Sequence, residues 1–383
     1  MGNTNHTRTV RCSRCGVKLV VPDYARNICC SICHCTTYVG RDPVRHAVGY
    51  FKSIVSTFAN SGNSFNNSSP HSYGSNSRMQ QFGYSNSGFY IPASYPRVFG
   101  NKRALLIGIA YISSRYELKG TINDVNCVAY LLTQKFGFPR ESILILTEED
   151  RDPNKIPTKQ NMRAAMRWLV SGCTAGDSLV FHFSGHGVQK LDTTNDELDG
   201  YDEALCPLDF EINGTILDDE INEIIVRPLP NNVKLHALVD ACHSGTILDL
   251  PYLCRISRRS GCWQWEDHSA PSGDYKGTSG GVAILISGCN DNQTSADTSA
   301  FAGSTSTGAM TYSFIQAVES EPGTTYGRLL TAMRAAIREI GSGSQFSGPI
   351  ASLIRRAIPF GSTQEPQLSS SQKFDIYHKP FLL

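Results

Sequence analysis

The sequence predicts an α/β fold, a mainly parallel sheet with helices on both faces, preceded by a small zinc ribbon and a flexible linker. Three observations carry this expectation. Strand-like apolar runs alternate with helical patterns from residue 102 onward. Two C-x-x-C knuckles stand within the first 40 residues. Between these regions the chain is rich in Asn, Ser, Gly and Tyr and poor in charge. The expected organisation is a zinc-ribbon module over 1–42, a linker over 43–98 and a large domain over 99–383.

At 383 residues, one large unit with a smaller module is the natural expectation. Lys and Arg number 35 against 34 Asp and Glu, so overall charge points to neither nucleic acid nor membrane. No apolar signal core and no run long enough to span a bilayer stands in the sequence. The thirteen cysteines, an odd count, fit reduced thiols serving metal or catalysis better than a disulfide framework. The expectation is a soluble, cytoplasmic protein, with a nuclear pool allowed.

The first knuckle is Cys12-Ser13-Arg14-Cys15 and the second lies within Cys29-Cys30-Ser31-Ile32-Cys33-His34-Cys35. Each knuckle points two thiolates at one tetrahedral ion, and Cys12, Cys15, Cys30 and Cys33 form the best zinc set. Cys29, His34 and Cys35 are near enough to compete. A strand-like stretch from Val17 to Val21, closed by Pro22, separates the knuckles. So short a segment has too little core to fold without metal. Its surplus of basic residues suits a protein partner at least as well as nucleic acid, which is not the expected partner.

From Tyr50 to Arg97 the composition cannot bury enough apolar surface to offset ordering entropy, so a flexible spacer is expected. The large domain then opens with a central strand over Lys102–Ala110. A helix from Asn123 to Lys135 carries Val125, Val128, Leu131 and Leu132 on one face, and a strand follows over Ser142–Thr147. Thr158 can cap a helix to Val170 with Met162, Ala165, Met166 and Leu169 on its apolar face. Next come a strand from Ser178, an acidic stretch over Asp192–Glu220 and a strand from Lys234. An irregular polar insert over Arg255–Gly280 precedes a strand over Gly281–Cys289. Helices over Met310–Glu319 and Tyr326–Ile340 and a strand-like tail over Gln367–Asp375 complete the chain.

Two of these strands share one grammar. Ser178-Leu179-Val180-Phe181-His182-Phe183-Ser184-Gly185-His186-Gly187 is an apolar run ending at a Gly-flanked histidine. Lys234-Leu235-His236-Ala237-Leu238-Val239-Asp240-Ala241-Cys242-His243-Ser244-Gly245 ends at an acid and a cysteine. If the strands lie parallel, Cys242 and His186 emerge at one edge, where open α/β sheets place ligands. A thiolate nucleophile needs a base, and His186 supplies one. His243 is a poor alternative, since consecutive residues leaving a strand point to opposite sides. His182 and His236 read as satisfied core histidines. The amides of Gly187 and Cys242 are placed to form an oxyanion hole. A buried structural thiol is the plainer reading of Cys242, and the matched strand ends weigh against it.

Asp124 and Asp240 both fall near carboxyl ends of strands, where gathered acids would select a basic side chain. Equally, Asp240 could accept backbone hydrogen bonds and Asp124 could cap its helix. Further acids group at Asp196 to Glu203 and at Asp218-Asp219-Glu220, with Asp249 after the cysteine strand. Converging carboxylates invite a hard cation such as Ca²⁺. The spacing is not that of an EF-hand, and on the residues alone a solvated acidic surface is the simpler reading.

Ser184-Gly185-His186-Gly187 with Asp240-Ala241-Cys242-His243-Ser244-Gly245 resembles the metacaspases, relatives of caspases with the caspase-hemoglobinase fold. The N-terminal knuckles, with Leu19, Pro22 and Ala25 between them, resemble a zinc finger of the lesion-simulating-disease type, so the architecture is similar to plant type I metacaspases. The resemblance implies a cysteine endopeptidase that cleaves after Arg or Lys, is activated by calcium, matures from a zymogen by self-cleavage and acts in programmed cell death or stress. It implies His186 and Cys242 as the dyad, and Asp124, Ser184 and Asp240 as the pocket for the basic residue. It further implies Asp202, Asp218, Asp219 and Asp249 as calcium ligands, and a monomer. Thr121 departs from the family's frequent Cys at a pocket position. Arg255, Arg258, Arg259 and Lys276 offer basic self-cleavage sites in the insert. The competing expectation is a regulatory scaffold that acts through its zinc module, with proteolysis incidental.

Overall fold

The chain divides into two compact units, residues 1–79 and 80–383. In the computed structural model the described residues are 7–11, 17–22, 27–29, 36–38, 90–97, 100–194, 197, 200–257, 262–270, 273–290, 308–320, 323–341 and 364–383.

In the first unit, β1 (Thr7–Arg11) pairs antiparallel with β2 (Lys18–Pro22), and β3 (Asn27–Cys29) with β4 (Thr36–Tyr38). The strand expected between the knuckles is β2, one residue later than predicted. In sequence, each knuckle falls between the two strands of an antiparallel pair. The cysteines of the zinc set, Cys12, Cys15, Cys30 and Cys33, lie outside the described residues, as does the linker over 43–89.

The second unit runs β5 (Lys102–Gly108), α1 (Thr121–Lys135), β6 (Ile143–Thr147), α2 (Lys159–Val170), β7 (Ser178–Ser184), β8 (Gly187–Leu191), β9 (Tyr201–Leu205), β10 (Ile216–Leu217), β11 (Lys234–Asp240), β12 (Tyr252–Ile256), β13 (Trp263–Asp267), β14 (Val282–Asn290), α3 (Ala309–Ser320), α4 (Tyr326–Gly341) and β15 (Gln364–Ser370). Eight strands form one sheet in the order β13-β12-β15-β14-β11-β7-β5-β6. The five from β14 to β6 are parallel neighbours, and β15, β12 and β13 join antiparallel at one edge. The parallel strands are near-continuous apolar runs because both faces are covered. On one face Leu105, Ile107, Phe181, Phe183, Ala237 and Val239 share a core with Met162, Met166 and Leu169 of α2. The alternate strand residues turn the other way, toward the face where α1, α3 and α4 pack against one another.

The helices follow their predicted faces: Val125, Val128, Leu131 and Leu132 of α1 are buried, as are Met162, Ala165, Met166 and Leu169 of α2. Thr158 caps α2 by accepting the Asn161 amide.

Four expectations change. The insert is not wholly irregular: Trp263 and Trp265 alternate with Gln264 and Glu266, and that period-2 pattern builds β13. The Trp265 indole donates to the Phe374 carbonyl at 2.9 Å. The acidic stretch is not only loop, since β8, β9 and β10 form a separate antiparallel sheet. The last strand ends at Ser370 rather than Asp375. Finally, the end of the expected spacer packs on the large unit. Tyr95 is buried, its hydroxyl donating to the carbonyls of Asn154 and Asn161, and the Trp168 indole donates to the Pro96 carbonyl at 2.8 Å.

Candidate active site

The parallel register does the main positioning. β11 and β7 pair so that Asp240 stands opposite Ser184. Cys242 and His186 therefore each lie two residues beyond the same rung, at the carboxyl edge of the sheet. The chain from His186 then passes so close to Cys242 that a Cβ on Gly187 would stand 2.2 Å from the Cys242 carbonyl oxygen. A side chain there would force the two backbones apart, so glycine is the residue that permits the approach.

His186 is buried and its backbone is held from both sides. Its amide donates to the Tyr111 hydroxyl at 3.1 Å, and its carbonyl accepts from the Cys206 amide at 3.0 Å. The Tyr111 hydroxyl in turn donates to the Cys206 carbonyl at 2.6 Å. The imidazole lies 4.9 Å from the Tyr111 ring, centroid to centroid, and its Nε2 is 2.8 Å from the Tyr116 carbonyl oxygen. A carbonyl only accepts, so Nε2 carries the hydrogen and Nδ1 is the basic nitrogen of the neutral ring. Burial holds the pKa of His186 below 6.5, and the hydrogen bond to Tyr116 partly offsets this. A neutral imidazole able to take a proton is the result.

Tyr111 and Tyr116 were not among the residues predicted to act at the site. They lie between β5 and α1 and belong to no local motif. The available signal was an aromatic residue just past the end of a central strand.

His243 takes a left-handed backbone, φ 50°, and burial lowers its pKa. His182 and His236 are core residues, with pKa values pushed down by burial to about 4 and about 3. Each bonds through one ring nitrogen, to the Leu238 carbonyl and the Tyr326 hydroxyl respectively. The other nitrogen of each has no hydrogen bond among the described residues, so the expectation of satisfied histidines holds for one nitrogen of each pair.

The three residues expected to read a basic side chain come together. Gly108 lets α1 pack tightly on the end of β5, since a Cβ there would meet the Thr121 carbonyl oxygen at 2.8 Å. That packing brings Asp124 to Ser184, whose hydroxyl donates to Asp124 Oδ2 at 2.8 Å. Asp124 does not cap α1: the cap position is Gly120, with no side-chain bond. Asp240 does serve as a backbone acceptor, taking the amides of Gly308 at 3.1 Å and Thr311 at 2.8 Å at the start of α3. Burial, and then the charge of Asp240, pushes Asp124 well above the usual carboxylate range. Burial raises Asp240 to about 6 despite the opposing backbone donors. The pair therefore holds negative charge with difficulty. Thr121 is fully buried beside them, its hydroxyl without a hydrogen bond among the described residues.

The acids expected to bind calcium are partly gathered. Asp202, Asp218 and Asp249 are buried and Asp219 is half-buried. Asp218 accepts the Glu203 and Asp219 amides, both at 3.0 Å. Burial first, and then the charges of Glu203, Asp249 and Glu197, raise Asp218 to about 10. Glu203 is bound by the Thr246 hydroxyl, in the loop that follows Cys242. The donor chemistry suits a hard cation. The arrangement does not: among the described residues, no group of three or more His, Cys, Asp or Glu side chains is placed to hold a metal ion. Instead the Lys276 ammonium stands 2.5 Å from Asp249 Oδ1 and 2.6 Å from Glu197 Oε1. Lys276 is only 5% exposed, so in this conformation it is not presented for cleavage. Arg255 lies in β12, paired with Glu266, while Arg258 and Arg259 lie outside the described residues.

A mainly parallel sheet that carries a cysteine and a Gly-flanked histidine to one edge is the framework of a cysteine-type endopeptidase with a caspase-like fold. Residues 102–251 match the family described as "Metacaspase, peptidase C14 domain". Metacaspase-1 of Arabidopsis thaliana is 51% identical over 381 residues, covering 98% of this chain and 96% of its own. Metacaspase-3 of the same plant is 46% identical over 385 residues, covering 98% and 99%, and Metacaspase-2 is 51% identical over 310 residues, covering 75% and 74%. The chain belongs to the metacaspase family and is a cysteine-type endopeptidase.

Proposed function

We propose that this peptidase cleaves after Arg or Lys, with Cys242 as nucleophile and His186 as the base that accepts its proton. The observation that carries the specificity is the buried pair Asp124 and Asp240, joined through Ser184 and set beside the edge where Cys242 and His186 emerge. Two adjacent carboxylates held at raised pKa favour any ligand that brings a positive charge, and a guanidinium or ammonium does so. Attack by the Cys242 thiolate on the scissile carbonyl forms a C–S bond. The oxygen then gains negative charge, for which the amides of Gly187 and Cys242 are the proposed donors. Collapse of this species breaks the C–N bond, the leaving amine takes the proton from His186, and water hydrolyses the thioester.

The reading extends to regulation and setting. Calcium is the proposed activator, at the acids Asp202, Asp218, Asp219 and Asp249, and zinc the proposed structural ion at Cys12, Cys15, Cys30 and Cys33. Maturation by self-cleavage at a basic residue of the insert, action as a monomer and a role in programmed cell death or stress rest on the family resemblance, and a cytoplasmic setting belongs to the same proposal. The test is cleavage of fluorogenic peptides differing only at the residue before the cut. Arg and Lys peptides are turned over and Asp peptides are not, and Cys242→Ala abolishes turnover. Activity that survives that substitution overturns the assignment.

A further inference from the structure

We propose that Lys276 is a positioning residue for the nucleophile's loop: its ammonium is the resident cation of the carboxylate cluster that this loop joins, and a divalent cation enters only by displacing it. The inference rests on the calcium reading above and departs from it in one respect, that the site already holds a positive charge supplied by the chain.

The geometry points this way from three directions. Asp249 lies seven residues after Cys242 and has a left-handed backbone, φ 49°, a conformation that Asp adopts more readily than most non-glycine residues. Its carboxylate is held by Lys276, which is paired at once with Asp249 and Glu197. Both Asp249 and Lys276 are more than nine-tenths buried, so each is the other's neutralising charge in a place that water screens poorly. Secondly, the backbones carrying the pair are pinned at one point. The Asn222 side-chain nitrogen, Nδ2, shares its two hydrogens among the carbonyls of Leu248 and Asp249, each at 3.0 Å, and that of Lys276 at 3.2 Å. Asn222 directly follows the helical turn Asp218–Ile221, so two of the acids, the nucleophile's loop and the insert meet there. Thirdly, the same loop is tied to the acids again, through Thr246 and Glu203.

A lysine ammonium and a hard divalent cation compete for the same oxygens. The ammonium holds at least Asp249 and Glu197, whereas calcium takes six to eight oxygen ligands. Exchange therefore withdraws the ammonium from Asp249 and Glu197 and turns it toward solvent.

The experiment uses the full chain carrying Cys242→Ala, which cannot cut itself. Titration with calcium chloride in a calorimeter gives Kd for that chain and for the same chain with Lys276→Met or Lys276→Arg. Removing the competing charge lowers Kd about tenfold or more in Lys276→Met, while Lys276→Arg stays near the parent value. Without calcium, Lys276→Met melts several degrees lower, about 5 °C, and calcium restores it. A role confined to packing would lower the melting temperature and leave Kd unchanged, and that result overturns the proposal. Should Lys276→Met not fold, amine labelling of the parent by an N-hydroxysuccinimide ester, read by mass spectrometry at residue 276, decides. Labelling is slow without calcium and at least about fivefold faster with it. Equal rates sink the proposal. Absence of calcium binding in every chain overturns the calcium reading with it, whereas equal binding in all overturns the lysine proposal alone.

Discussion

Gly187 and Cys242 approach so closely that the missing Cβ of the one would overlap the carbonyl oxygen of the other. Two segments 55 positions apart in sequence therefore pass backbone against backbone at the point where the chemistry is proposed. Gly187→Ala must push these backbones apart, moving an oxyanion donor and the histidine together. We expect kcat to fall about 100-fold or more, on the scale of losing one oxyanion donor. Peptide turnover under saturating substrate measures this, and a variant within a few-fold of the parent would contradict the geometry.

Asp124 carries a second expectation, in which function and stability pull in opposite directions. Its folded-state pKa is raised by burial and by Asp240, so the folded chain binds this proton more tightly than the unfolded one. Above the ordinary carboxylate pKa of about 3.9, stability is lost as pH rises toward the folded value. Asp124→Asn removes that loss and can still accept from Ser184. The variant should melt above the parent by a margin that grows from pH 4 to pH 8, while turnover of Arg and Lys peptides collapses. Thermal scans at the two pH values, paired with peptide assays, separate the effects.

His186 sets a third. Its pKa lies below 6.5 because the ring is buried, so the neutral form persists into mildly acidic solution. The acid limb that His186 sets in kcat/KM should accordingly fall below pH 6.5, separate from the limb of the raised pair Asp124 and Asp240. His186→Gln should remove that limb together with most of the activity. An unshifted limb near 6.5 would place the titrating group elsewhere.

The zinc module gives the fourth. The full chain is expected to hold about one zinc per molecule, lost in Cys12→Ser, with cleavage of short Arg peptides unchanged. Elemental analysis and the peptide assay check the two halves independently. Loss of cleavage would mean that the module reaches the catalytic reaction itself.

Much of the site was legible because strand ends announce themselves. The runs ending at His186 and Cys242 are apolar on both faces, as central parallel strands must be, and equal overhang beyond paired strands brings their ends together. Asp124 and Asp240 were readable as acids near strand ends, though not that Asp240 also takes the first amides of α3, which lies 68 residues later. Tyr111 and Tyr116 escaped because a loop tyrosine has no period or spacing to mark it. β13 escaped for another reason: its two tryptophans sit in a polar stretch where five residues of alternation are easily read as loop. Lys276 was visible only as one basic residue among several in the insert. That a lysine is buried against acids depends on chain segments far from it in sequence, which pattern alone does not join.

The order of strands has a consequence for what a cut would leave. β12 lies before residues 258–261 and is hydrogen-bonded on both sides, to β13 and β15, by strands that come after them; β11 likewise borders β14. A break after Arg258 or Arg259 would thus yield two polypeptides woven through a single sheet. They should migrate as two bands once denatured and as one particle before. Cleavage in this protein would then be a change of covalent state without a change of assembly, irreversible as chemistry yet silent to any method that reads only size in solution.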